Sequence, residues 1–370
     1  MINNRKLSNY TIKEKNLYGV GYMTASAILF ALVPIFLTWG EAYIAPFAYN
    51  TVRTIFTMIA TLLFLFAFYK DELLDRATWK AVGMNLRKWS LLGITFGYFN
   101  YLTFSLSLKC IDVSVATVLF ETWPIWMILL TGIMFKIEKR YENVSASGWV
   151  FVLMGFSGLV FVILSQNTDI FTTKNSVSLF DIFCGVSLVL LASLMGAMVG
   201  SCSIRWGATA LKDVCESKRN KTNKDLTMLF TLIGMIIAGI PSITISTTLA
   251  VLERHNEIVE LNNMIIAAIL GFFVVNTALI LFRVANFITT KLEINAICYS
   301  TPILSLVCLA IVGYINVSHI DWLVIGTIGV VAANILLNLK AVIKRTHKYW
   351  VFALWVVGVI SYFYLNKYIL

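Results

Sequence analysis

Apolar residues in this chain come in long runs, and polar residues collect in the gaps between them. Runs of spanning length lie at roughly 17–39, 44–69, 89–108, 113–135, 147–165, 180–204, 226–249, 264–286, 293–314, 320–339 and 349–366. A helix rises 1.5 Å per residue, so about 20 residues cross about 30 Å of hydrocarbon. The pattern predicts ten spanning helices and an eleventh at 349–366, where the aromatic-rich YWVFALWVVGVISYFYLNKY has an interfacial helix as its alternative. The first sixteen residues are polar and basic, and the run that follows is too long for a cleaved leader. The expected layout is a cytoplasmic tail over 1–16, five spans over 17–165, five more over 180–339, and a basic loop with the extra helix over 340–370.

Composition sharpens this picture. Of 370 residues, 59% are hydrophobic and 13% charged, against about 25% charged in soluble domains. The net charge of +10 does not imply a nucleic-acid partner, because the basic residues sit between the apolar runs. Of 29 Lys and Arg, 24 fall on the side shared with the N-terminus and four on the other, with Arg53 inside a span. That bias places the N-terminus in the cytoplasm. Six cysteines form neither a C-x-x-C pair nor a cluster with His, so they predict neither a disulfide framework nor a metal site.

The two halves resemble each other. At an offset of 178, Gly93 meets Gly271, Thr117 meets Asn295, Glu121 meets Tyr299 and Pro124 meets Pro302. Gly155 and Gly158 meet Gly326 and Gly329 at 171, and Trp39-Gly40 meets Trp206-Gly207 at 167. Five spans per half is an odd number, so the halves cross the membrane in opposite senses. The expected fold is an all-α polytopic bundle of ten transmembrane helices in two inverted repeats, plus the eleventh helix. Inverted repeats suit alternating access.

Charged groups at mid-bilayer are costly, so each one invites a function. Glu121 shares a helical face with Thr117 and Pro124, and the matching face of the ninth span carries Asn295, Tyr299 and Pro302. These two faces are expected to converge on a cavity, with the prolines as hinges. Glu121 is the candidate for binding an amine or cation, or for taking up a coupling proton. Arg53 is the candidate for an anionic group, with a latch to Glu121 or snorkelling as alternatives. Asn100 and Asn276 could supply neutral hydrogen bonds, and Trp123 could wall the cavity. Arg283 reads as a snorkelling residue near a cytoplasmic end. No H-E-x-x-H, G-x-S-x-G or G-x-x-x-x-G-K-[ST] element occurs, so neither catalysis nor ATP hydrolysis is expected. No cofactor is implied.

Five plus five inverted helices, Arg53 early in the second span, and Ile137-Glu138-Lys139 closing the fourth resemble the drug/metabolite transporter superfamily, EamA-like branch. The resemblance covers roughly 17–340. It implies a ten-helix fold whose fourth and ninth spans help line a central cavity. It also implies transport of amino acids, other small metabolites, nucleotide sugars or drugs, often outward. The chain departs from the pattern where Asn316 stands opposite Glu138 and in its eleventh span. The expected partners are a small-molecule solute, a coupling proton or ion, and the lipid bilayer, with a homodimer left open. A lipid-headgroup flippase of the same fold and a membrane-embedded enzyme on lipid-linked substrates are the competing readings.

Overall fold

The structure is a computed structural model. It describes residues 12–40, 42, 44–92, 99–111, 146–164, 180–198, 226–253, 260–289 and 300–313. It also describes residues 116, 119–120, 122–123, 126, 130, 294, 297–298, 322, 324–326, 328–329 and 332–333. The expected eleventh helix lies outside them.

Among the described residues the architecture is all-helical. In chain order the helices are α1 (Ile12–Ala31), α2 (Val33–Trp39), α3 (Pro46–Leu73), α4 (Arg76–Leu92), α5 (Phe99–Ser107) and α6 (Ala146–Leu164). There follow α7 (Phe180–Met198), α8 (Leu226–Glu253), α9 (Leu261–Ile269), α10 (Asn276–Ile288) and α11 (Ser300–Ile311). A π-helical segment, Leu270–Val275, joins α9 to α10. Among the described residues five stretches are long and apolar enough to cross a membrane: Glu14–Trp39, Pro46–Leu73, Phe180–Met198, Met228–Leu252 and Leu261–Asn286. α1 begins at Ile12, ahead of the apolar run that foretold it.

Polarity is distributed as lipid demands. Leu63, Phe66, Phe180, Phe183 and Phe273 are exposed, while Ser26, Asn50, Thr61, Ser193 and Ser246 are buried. In water so many exposed aromatic and aliphatic side chains would drive association. Against acyl chains they incur no such penalty, and the polar groups gather inside to find partners.

The halves interleave. α1 packs on α10 and α11, and α3 packs on α8, α9 and the π segment. Hydrogen bonds between side chains and across helices fix the relative senses. Ser26 donates to the Ala278 carbonyl at 2.8 Å and Thr289 to Asn16 at 2.7 Å, so α1 runs antiparallel to α10. Thr57 donates to the Gly271 carbonyl at 3.1 Å and Thr61 to Asn276 at 2.7 Å, so α3 runs parallel to the π segment and α10. Ser246 donates to the Phe47 carbonyl at 3.0 Å and Met58 lies against Gly239, so α3 and α8 are antiparallel. Such bonds contribute about 0.6–2 kcal/mol each in a bilayer.

Three irregularities fall at one level of the bundle. Pro34 lacks an N–H and crowds the carbonyl of Phe30, and the first span breaks at Leu32 into α1 and α2. Pro241 lies inside α8 and deprives Ile237 of the same bond. The π segment breaks the third of these spans. Pro302 is different. It stands in the first turn of α11, where a missing N–H interrupts no internal bond.

Candidate functional site

A cavity of about 150 Å³ lies among these irregularities. It is walled by α1, α2, α3 and α5, by Phe120 and Trp123, and by α7, α8, the π segment and α10. Both halves of the chain therefore contribute. A void of this size can hold a molecule on the scale of benzene.

Of the residues picked out from sequence, Arg53, Asn100, Trp123 and Asn276 all line this cavity. Glu121, Thr117, Pro124, Asn295 and Tyr299 lie outside the described residues, as does the side chain of Pro302. Arg283 also lines the cavity and is only 4% exposed, so it does not snorkel. It lies five residues before the end of α10, which made a headgroup location plausible. The helix face it occupies is covered by protein, a fact that chain position alone does not carry.

Arg53 is positioned by α3. Pro46 starts this helix at a position where its missing N–H is harmless. One turn before Arg53, Asn50 accepts from its Nη2 at 2.6 Å. Thr54 accepts from the same nitrogen at 3.3 Å. The guanidinium carbon lies 3.9 Å from the centre of the Tyr101 ring, a cation–π contact that a dry site strengthens. Its Nε is buried with no partner. The backbone behind it is held by the π segment. A side chain at Gly271 would overlap the Arg53 carbonyl, so only glycine lets the two helices touch there.

Asn100 is placed by a similar close approach. Its Nδ2 donates to the Ala192 carbonyl at 3.1 Å, and a side chain at Gly196 would strike that amide. Its Oδ1 is buried without a partner. On the opposite wall Asn276 accepts from Thr61 through its Oδ1. Around these polar groups stand Phe30, Tyr101, Phe104, Phe120, Trp123 and Phe282. Trp123 packs edge-on against Phe30 at 6.1 Å and Phe282 at 5.3 Å. Two cations, several neutral hydrogen-bonding groups and an aromatic lining are the materials from which small-molecule sites are built. Among the described residues the cavity holds no acid–base pair of the kind a hydrolase needs, and no cluster suited to a metal.

Residues 17–164 match the EamA-like transporter family. That segment is similar to this family, which is part of the drug/metabolite transporter superfamily. The match and the apolar helices support a multi-pass membrane protein. No curated protein matches the chain. Twelve chains of solved structures do. One, described only as a crystal structure of a protein, shares 16% identity with a TM-score of 0.62, covering 89% of this chain and 98% of its own. At that identity the likeness concerns fold alone. Its coverage takes in most of the second half, beyond the residues the family match reaches.

Proposed function

We propose that this EamA-like protein is a secondary transporter moving a small metabolite, such as an amino acid, across the cytoplasmic membrane by alternating access. The observation that carries the reading is the cavity between the interleaved halves, bordered by the break at Leu32, by Pro241 within α8 and by the π segment Leu270–Val275. Helices broken or distorted around a central site are a common transporter device. Ten spans in two inverted repeats, with the N-terminus in the cytoplasm, accommodate the observed helix senses. The first and seventh spans then run outward, and the second and eighth inward.

In this reading Arg53, Asn100, Asn276 and Trp123 contact cargo. Thr117, Asn295 and Tyr299 extend the same surface, with Pro124 and Pro302 as hinges. Glu121, next to the cavity-lining Phe120, binds a cargo amine or carries a coupling proton. The test is flux. Purified protein in liposomes loaded with unlabelled amino acids should take up labelled ones with saturation and counterflow. Empty liposomes should not. Turnover of a lipid-linked substrate in detergent, without counterflow, would support the enzyme reading instead.

A further inference from the structure

The cavity has an uneven charge. Arg53 and Arg283 both line it, and no Asp or Glu does among the described residues. A guanidinium stays protonated under all ordinary conditions, so burial does not remove these charges. Two unmet hydrogen-bonding valences belong to residues that line this cavity. Arg53 Nε is a donor without an acceptor, and Asn100 Oδ1 is an acceptor without a donor. Arg53 is 4% exposed and Asn100 6% exposed, so water does not reach them freely. Buried polar atoms of native proteins are nearly always satisfied, and an exception that lines a cavity is open to a partner brought by a ligand.

We infer that the cargo is an organic anion: a carboxylate that takes the Arg53 guanidinium, bearing a neutral donor such as a hydroxyl for Asn100, on a flat apolar body. The inference rests on the transporter reading for how the cargo enters and leaves, and narrows what it is. A planar guanidinium matches a carboxylate edge to edge. The hydroxyl supplies the donor that Asn100 Oδ1 lacks. An ammonium could do so too, but among the described lining residues it would face two cations and no carboxylate, which leaves Glu121 the coupling-proton role. The body packs among Phe104, Phe120, Trp123 and Phe282, and about 150 Å³ leaves room for one ring and a short stem.

Arg283 stands apart from Arg53 along the bundle. Gly271 touches Arg53, and twelve residues of the π segment and α10 separate Gly271 from Arg283. At 1.5 Å per residue this is roughly 18 Å. The second cation therefore lies toward the end of the cavity near Asn16 and Thr289. An anion would meet one arginine at each end of its passage.

Three solutes on one skeleton separate the alternatives: 3-phenyllactate, L-phenylalanine and L-phenylalaninol, which carry charges of −1, 0 and +1. Thermal unfolding of the full chain in detergent reads binding, since a ligand raises Tm by mass action. The expected order of the shift is phenyllactate, then phenylalanine, with no shift from phenylalaninol. Arg53→Gln should weaken phenyllactate at least tenfold. Asn100→Leu should erase its advantage over 3-phenylpropionate, which lacks the hydroxyl. A shift from phenylalaninol equal to that from phenyllactate, or none from phenyllactate, overturns the anion assignment. Liposome flux decides the other question. Phenyllactate that binds but never crosses would sink the transporter reading and leave the anion site standing. Saturable flux with a preference for phenylalaninol would do the reverse.

Discussion

The guanidinium carbon of Arg53, on α3, lies 3.9 Å from the centre of the Tyr101 ring on α5. The contact gives a buried cation a face of negative quadrupole where water is scarce, worth about 2 kcal/mol when desolvated. Tyr101→Leu should therefore lower the stability of the detergent-solubilised protein by about 1–2 kcal/mol. Tyr101→Phe, which keeps the ring, should recover most of it. Equal losses in both variants, measured by denaturant unfolding, would assign the effect to the hydroxyl.

Gly271 offers a steric test of how Arg53 is held. An added methyl there would collide with the Arg53 carbonyl, which belongs to the helix backbone and cannot rotate away. Gly271→Ala should destabilise by about 1–3 kcal/mol, as overpacking does. Gly21, on the exposed side of α1, has open space around it. Gly21→Ala should be neutral or stabilise by up to about 1 kcal/mol, the ordinary helix gain. Thermal melts of the two variants side by side check this.

Thr61 and Asn276 join α3 to α10 through one buried hydrogen bond of 2.7 Å. Thr61→Val keeps the shape of the side chain and leaves Asn276 Oδ1 unpaired, at a cost of about 1–3 kcal/mol. Asn276→Leu removes the acceptor instead. A double-mutant cycle should return a coupling of about 0.5–2 kcal/mol between them. A coupling near zero would mean that the bond is readily replaced by other partners.

Periodicity and charge made much of this legible. The long runs at 17–39, 44–69, 226–249 and 264–286 correspond to described helices, because hydrocarbon thickness imposes a length that composition alone can display. Arg53, Asn100 and Asn276 were conspicuous because polar groups in apolar runs need partners, and all three reach the cavity. Other features had no such signature. The π segment at Leu270–Val275 contains only apolar residues and glycine, and nothing in that string announces a change of helical pitch. Gly271 was noticed for its alignment with Gly93, whereas its physical reason is the Arg53 carbonyl on another helix. The interleaving of α1 with α10 and α11 is likewise a long-range relationship, invisible to any local window.

Arg283 misled the sequence reading, and it gives the sharpest test of function. A cation near a helix end usually reaches for headgroups. This one is buried against the cavity and, among the described residues, has no acidic partner. Burying such a charge is unfavourable by at least about 2.5–3.5 kcal/mol on insertion scales. A residue kept for folding would not be chosen on those terms. Arg283→Leu should therefore raise stability, by about 1–3 kcal/mol given the scale of that penalty, while abolishing saturable uptake in liposomes. Gain of stability with loss of activity is the mark of a strained functional group. The opposite outcome is equally readable. A drop of about 3–5 kcal/mol is what breaking a buried ion pair produces. It would mean that a carboxylate elsewhere in the chain holds Arg283, with Glu121 the first to replace by Gln.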